Sequence, residues 1–63
     1  MRVVLIVGRL YRFGSVLGAV ALAKQLGCLG CDVTLVTLAH RDTWDAELEE
    51  GLARSGVEVV SAD

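Results

Sequence analysis

Five consecutive aliphatic residues, Val3–Val7, stand between Arg2 and a glycine. Successive side chains of a strand point to opposite faces, so Val3, Leu5 and Val7 face one way and Val4 and Ile6 the other. Both sets are apolar, which is the pattern of a strand covered on both sides in a parallel sheet. The loop Gly8–Gly14 (GRLYRFG) follows, and then SVLGAVALAKQLGCL, an almost wholly apolar helical stretch. A buried strand, a glycine-bearing turn and a helix open a doubly wound α/β sheet. Such sheets bind ligands where strands end and helices begin.

The rest of the chain continues the alternation. The first helix is predicted over Ser15–Leu29, stopped by Gly30 as a left-handed terminator with Cys31 after it. Asp32–Leu38 (DVTLVTL) is rich in β-branched residues and reads as the second strand. Asp42 or Thr43 is predicted to cap a second helix, with Trp44 in its opening turn as a packing anchor and acidic residues at the positive end of the dipole. Glu50 and Arg54 are spaced to pair along that helix. Gly56 ends it, and Val57–Val60 is a third, short strand. The fold class predicted for residues 1–63 is α/β: a single, incomplete Rossmann-like βαβαβ unit. Its three-stranded parallel sheet is predicted in the order 3-2-1, with both helices on one face.

That arrangement leaves surfaces without a partner. Val16, Ala19, Val20, Ala23 and Leu26 form the helical stripe that lies on the sheet. The opposite side, with Leu17, Gly18, Ala21 and Cys28 beside Lys24 and Gln25, is only weakly polar, and nothing in the chain covers the second sheet face. More of the same polypeptide or another copy of the chain, a homo-oligomer, is expected to cover these faces.

Composition narrows the class. Apolar residues make up 54% of the 63 residues and proline is absent, which excludes disorder. Six basic and eight acidic side chains leave a net charge of −2, so there is no field to attract nucleic acid. No apolar stretch reaches the ~20 residues of a membrane span. Arg9 and Arg12 precede Ala21-Leu22-Ala23, the small-x-small pattern of a signal-peptide cleavage site, but cleavage there would remove the first strand. The cytoplasm is the expected compartment.

Arg9, Tyr11, Arg12 and Phe13 place two arginines and two aromatics at the ligand-binding end of the sheet. Arginines clamp phosphate or carboxylate, and aromatic faces stack on a sugar or base. The bland alternative is a loop anchored by its rings with solvated arginines. Gly8, Gly14 and Gly18 do not have the spacing of a dinucleotide fingerprint, and the end of the second strand offers Arg41 rather than a ribose-binding acid. Cys28 and Cys31 form a C-x-x-C at a helix C-terminus, the wrong pole for a reactive thiolate. His40 lies over ~20 Å from Cys31 along the second strand, so no metal site is predicted within one chain. His40 has no nucleophile fixed beside it, and no catalytic residue or cofactor is assigned.

GRLYRFGSV, ALAKQLGCLGCDVTLVTL and LEEGLARSGVEVV together resemble the N-terminal segment of GT-B-fold glycosyltransferases, above all the large retaining family four. The resemblance implies a two-domain enzyme whose N-terminal domain binds the sugar acceptor while the C-terminal domain holds the nucleotide-sugar donor. It implies a ligand-binding loop at Arg9, Arg12, Gly14 and Ser15, with main-chain N–H groups near the donor's phosphates. Gly14 matches the first of the family's paired glycines, Ser15 stands where the second is usual, Leu17 where an acid often follows, and Cys31 where histidine is common. The donor domain lies outside this chain, so the chain alone is expected to be inactive. Two readings of another class stand beside this one: a freestanding or engineered βαβαβ module that self-assembles without catalysis, and a small nucleotide-binding protein using the first loop.

Overall fold

A computed structural model describes residues 1–62. The elements are β1 (Arg2–Val7), α1 (Gly14–Cys28), β2 (Asp32–Thr37), a 3₁₀ turn (Arg41–Thr43), α2 (Ala46–Arg54) and β3 (Glu58–Ser61). All strands are parallel: Arg2 pairs with Asp32 and Val7 with Thr37, while Thr34 pairs with Glu58 and Thr37 with Ser61.

The neighbour order is β1-β2-β3, which corrects the expected 3-2-1. Read from β1 the strands run 1-2-3, and from either end β2 lies between β1 and β3. Here β1 is an outer edge, the sheet is counted from it, and β2 alone is flanked on both sides. Each crossover steps once, to the next position outward from β1.

Both helices lie on one face, because one core holds them together. Val16, Val20 and Ala23 of α1 and Leu48 and Leu52 of α2 pack on Val7, Val33, Leu35 and Val57. The apolar stripe expected on α1 is the face that is buried, with Ala19 and Leu26 half-covered at its margin. Leu10 in the β1–α1 loop is fully enclosed and plugs the end of this core. Fully burying a Leu or Val side chain contributes roughly 1.5–3 kcal/mol, so this small set supplies most of the driving force.

Each helix stops at a glycine. Gly30 (φ 89°) and Gly56 (φ 79°) are left-handed, a conformation without steric cost only for glycine. The N–H of Cys31 returns to the Leu26 carbonyl at 3.1 Å and that of Val57 to Leu52 at 3.0 Å, the closing bonds of two Schellman caps.

The start of α2 differs from the expectation. Asp42 and Thr43 do not cap it: they belong to the 3₁₀ turn, where the Asp42 N–H donates to His40 Nδ1 and the Thr43 hydroxyl to the His40 carbonyl. Asp45 is the cap, its carboxylate accepting from the N–H groups of Glu47 (3.0 Å) and Leu48 (3.1 Å). Trp44 accordingly lies ahead of the helix. It is half-buried, and its indole N–H donates to the Thr37 hydroxyl at 2.9 Å.

The second face of the sheet is bare. Val4 and Ile6 are 56% and 67% exposed. No helix among the described residues is long and apolar enough to cross a membrane.

Candidate functional site

Parallel strands bring the β1–α1 loop and the β2–α2 loop to the same end of the sheet. The N–H groups of Leu38 and Ala39 donate to the carbonyls of Val7 and Gly8, both at 3.0 Å, so the two loops leave the sheet side by side. The N–H of Asp45 donates to the Leu10 carbonyl at 2.8 Å, fastening the start of α2 to the first loop.

Arg12 completes that fastening. Its Nε donates to Asp45 Oδ2 at 3.1 Å and its Nη2 to Glu47 Oε2 at 2.5 Å. Hydrogen bonds to Asp45 and then Glu47 raise the Arg12 pKa above its ordinary value. The Leu48 N–H holds the Asp45 carboxyl below its usual range against desolvation, with Arg12 and the Glu47 N–H adding to the lowering. Arg12 therefore spends two of its donors on α2, and one carboxylate both caps a helix and receives an arginine.

Arg9 has no such engagement. Its guanidinium stands 5.5 Å over the Tyr11 ring, and Tyr11 stacks on Phe13 with centroids 5.6 Å apart and planes 14° from parallel. Both rings are exposed. Across the loops, Arg41 lies 5.4 Å over the Trp44 ring. Two cation–π pairs thus flank the strand ends, one open to solvent and one seated on the fold.

Gly14 and Ser15 open α1. Phe13 is the N-cap and makes no side-chain cap bond, and the first turn carries no acid. The first helical bond runs from the Leu17 N–H to the Phe13 carbonyl at 2.8 Å, so the N–H groups of Gly14, Ser15 and Val16 precede the ladder. A Cβ at Gly14 would meet nothing within 4 Å, so packing does not require glycine there. Of the four expected ligand residues, Gly14 and Ser15 are adjacent at the start of α1, Arg9 lies in the loop over the Tyr11 ring, and Arg12 is turned to α2.

No protein-family model, curated protein or solved structure matches the chain. Chemistry must be read from the residues themselves. Cys28 is exposed and Cys31 half-covered, both as thiols. No group of three or more His, Cys, Asp or Glu residues that could hold a metal occurs among the described residues. His40 Nδ1 is 3.3 Å from Asp42 Oδ2 and accepts the Asp42 N–H, which makes it part of the turn. The described residues form no pocket, so ligand contact at this end is contact with an open surface.

Sequence reasoning missed the Arg12–Asp45–Glu47 clasp. Its partners are more than thirty positions apart, and only the parallel sheet brings them together. The one local signal is Asp45, a capping residue two places before Glu47.

Proposed function

We propose that the chain is an acceptor-side βαβαβ unit of a GT-B-type sugar transferase, inactive until joined by a domain that binds the nucleotide-sugar donor. The observation that carries this reading is the open group Arg9, Tyr11 and Phe13 at the C-terminal ends of the strands, where α/β sheets take their ligands. Exposed rings offer an apolar face to the C–H face of a sugar, and a guanidinium beside them donates to hydroxyl or phosphate oxygens. The free N–H groups of Gly14 and Ser15 at the start of α1 add anion-facing donors. The role needs no metal or cofactor from this chain, and we assign it to the cytoplasm.

Titration of isotopically labelled protein with disaccharides and with a nucleotide sugar tests the reading. The amides of residues 9–15 are expected to shift with saccharide, and Arg9→Ala and Tyr11→Ala are each expected to weaken the response at least about tenfold, roughly 1.4 kcal/mol. Unshifted loop amides at millimolar saccharide and nucleotide sugar would sink it.

A different observation favours a second reading, a module that self-assembles without catalysis. β1 has the composition of an internal strand, yet it forms the sheet's edge with Val4 and Ile6 largely exposed.

A further inference from the structure

The two edges of the sheet are unlike. β3 is four residues long, begins with Glu58, and ends with the Ser61 hydroxyl donating to the Ala39 carbonyl. Short length and charge are how natural sheets blunt an edge. β1 is six residues long and, after Arg2, wholly aliphatic, with no proline or acid. Such an edge is a template for another strand.

The hydrogen-bond parity of β1 can be read directly. Asp32 N–H donates to the Met1 carbonyl and Leu38 N–H to the Val7 carbonyl. In a parallel ladder alternate residues bond, so Met1, Val3, Leu5 and Val7 face β2. Arg2, Val4 and Ile6 therefore turn their N–H and C=O groups to the open edge.

The helix layer above this edge is also unfinished. Lys24 and Gly27 mark the flank of α1 that meets α2, since a Cβ at Gly51 would touch Lys24 and one at Gly27 would strike the Ser55 carbonyl. At 100° per residue the other flank, above the β1 edge, carries Ala19, Leu22 and Leu26. Leu22 is 48% exposed, and Ala19, Leu26, Val3 and Leu5 are only partly covered.

We propose that this strip is a homodimer interface: a second copy pairs its β1 antiparallel to the first about a twofold axis normal to the sheet, making one six-stranded sheet. The proposal rests on the self-assembly reading above and names its surface. Side-chain parity requires that residues facing each other lie on the same face. A twofold at Leu5 meets this, setting Val4 opposite the partner's Ile6 and Val3 opposite the partner's Val7. The outward groups of Val4 and Ile6 then close four main-chain bonds between the two copies. Branched aliphatic pairs across strands are themselves stabilising.

The helix layer closes in the same step. α1 rests over β1 and β2, so two copies of α1 are separated by two strand spacings, about 10 Å. That is within reach of the 8–10 Å of packed helices, and Ala19 permits the close approach. Charge does not oppose the contact. Arg2 is already paired with Asp32 at 3.5 Å, and the strip carries no carboxylate. The strip is about 20 Å long and one helix diameter high. That is small beside the roughly 800 Å² per partner of a standard interface, so a moderate affinity is expected, with main-chain bonds prominent.

Light scattering on the full chain, over about a hundredfold range of concentration, tests this. The expected result is a concentration-dependent rise to a discrete mass of two chains. Leu22→Glu, on the helix flank, and Ile6→Lys, on the strand, are each expected to raise the dimer Kd at least tenfold, with helical circular dichroism unchanged. Glu49→Lys on α2 should change nothing. A dimer indifferent to both variants overturns the β1 interface while leaving self-assembly standing. A monomer throughout, or aggregation without a discrete mass, overturns both.

Discussion

Two side chains hold together the end of the molecule where β1 and β2 run into their loops, and each does so with more than one bond. Thr37 is fully buried; its hydroxyl donates to the Ala39 carbonyl at 2.9 Å and accepts the Trp44 indole N–H. Thr37→Val keeps the shape and strands that N–H, a loss of roughly 1–3 kcal/mol in urea unfolding. Thr37→Ser retains the hydroxyl and should recover most of it. Asp45 caps α2 and receives Arg12, so Asp45→Ala should lower the unfolding midpoint more than Asp45→Asn, which keeps an oxygen for the cap. The sign with pH follows from the lowered carboxyl pKa. The stabilisation is complete above the unfolded-state value near 3.8 and fades as pH falls through the folded value below it. A pH series of melts on wild type and Asp45→Ala should therefore converge in acid; curves that stay parallel would contradict the role of its charge.

At the scale of elements, two helical glycines do opposite work. Gly27 brings α1 against the chain after α2, where a Cβ would collide with the Ser55 carbonyl and crowd Val57 at 3.2 Å. Backbone cannot move aside cheaply, so Gly27→Ala should destabilise by roughly 1–3 kcal/mol. At Gly51 a Cβ would meet only the far end of the flexible Lys24 side chain, Nζ at 2.8 Å and Cε at 3.1 Å. Gly51→Ala should therefore gain up to about 1 kcal/mol of helix propensity. Thermal melts of the pair decide it, and equal effects would mean the helices are not held as described. The elements were largely legible in the sequence, because each has a local signal: the aliphatic run of β1, the stripe on α1, and Gly30 and Gly56 as stops. The cap of α2 was misplaced by two or three residues because Asp42, Thr43 and Asp45 are all competent caps. Only the pairing of the 3₁₀ turn with His40 and the bond from Asp45 N–H to Leu10 select Asp45. The Arg12 clasp was illegible for a related reason: a solvated arginine and a paired one have the same local sequence.

For the whole molecule, the decisive feature is a strand with an interior composition at an exterior position. β2, flanked on both sides, buries Val33, Leu35 and Thr37 completely or nearly so, while β1 buries only Val7 to that degree. The bare faces were foreseeable from the double-sided apolar pattern of β1. The neighbour order runs 1-2-3 from β1 rather than 3-2-1, with β2 at the centre. Pairing of β1 couples folding to concentration, so the melting temperature should rise with protein concentration by mass action.

Amide hydrogen exchange along β1 tests this central point most directly, because neighbouring residues report on different sides of the strand. Val3, Leu5 and Val7 point at β2 and should be protected at any concentration. Val4 and Ile6 point outward, and a paired edge requires that they become protected as concentration rises. If those two amides exchange at the rate of open loops while their neighbours stay protected, the edge of β1 is free and the account of it is wrong.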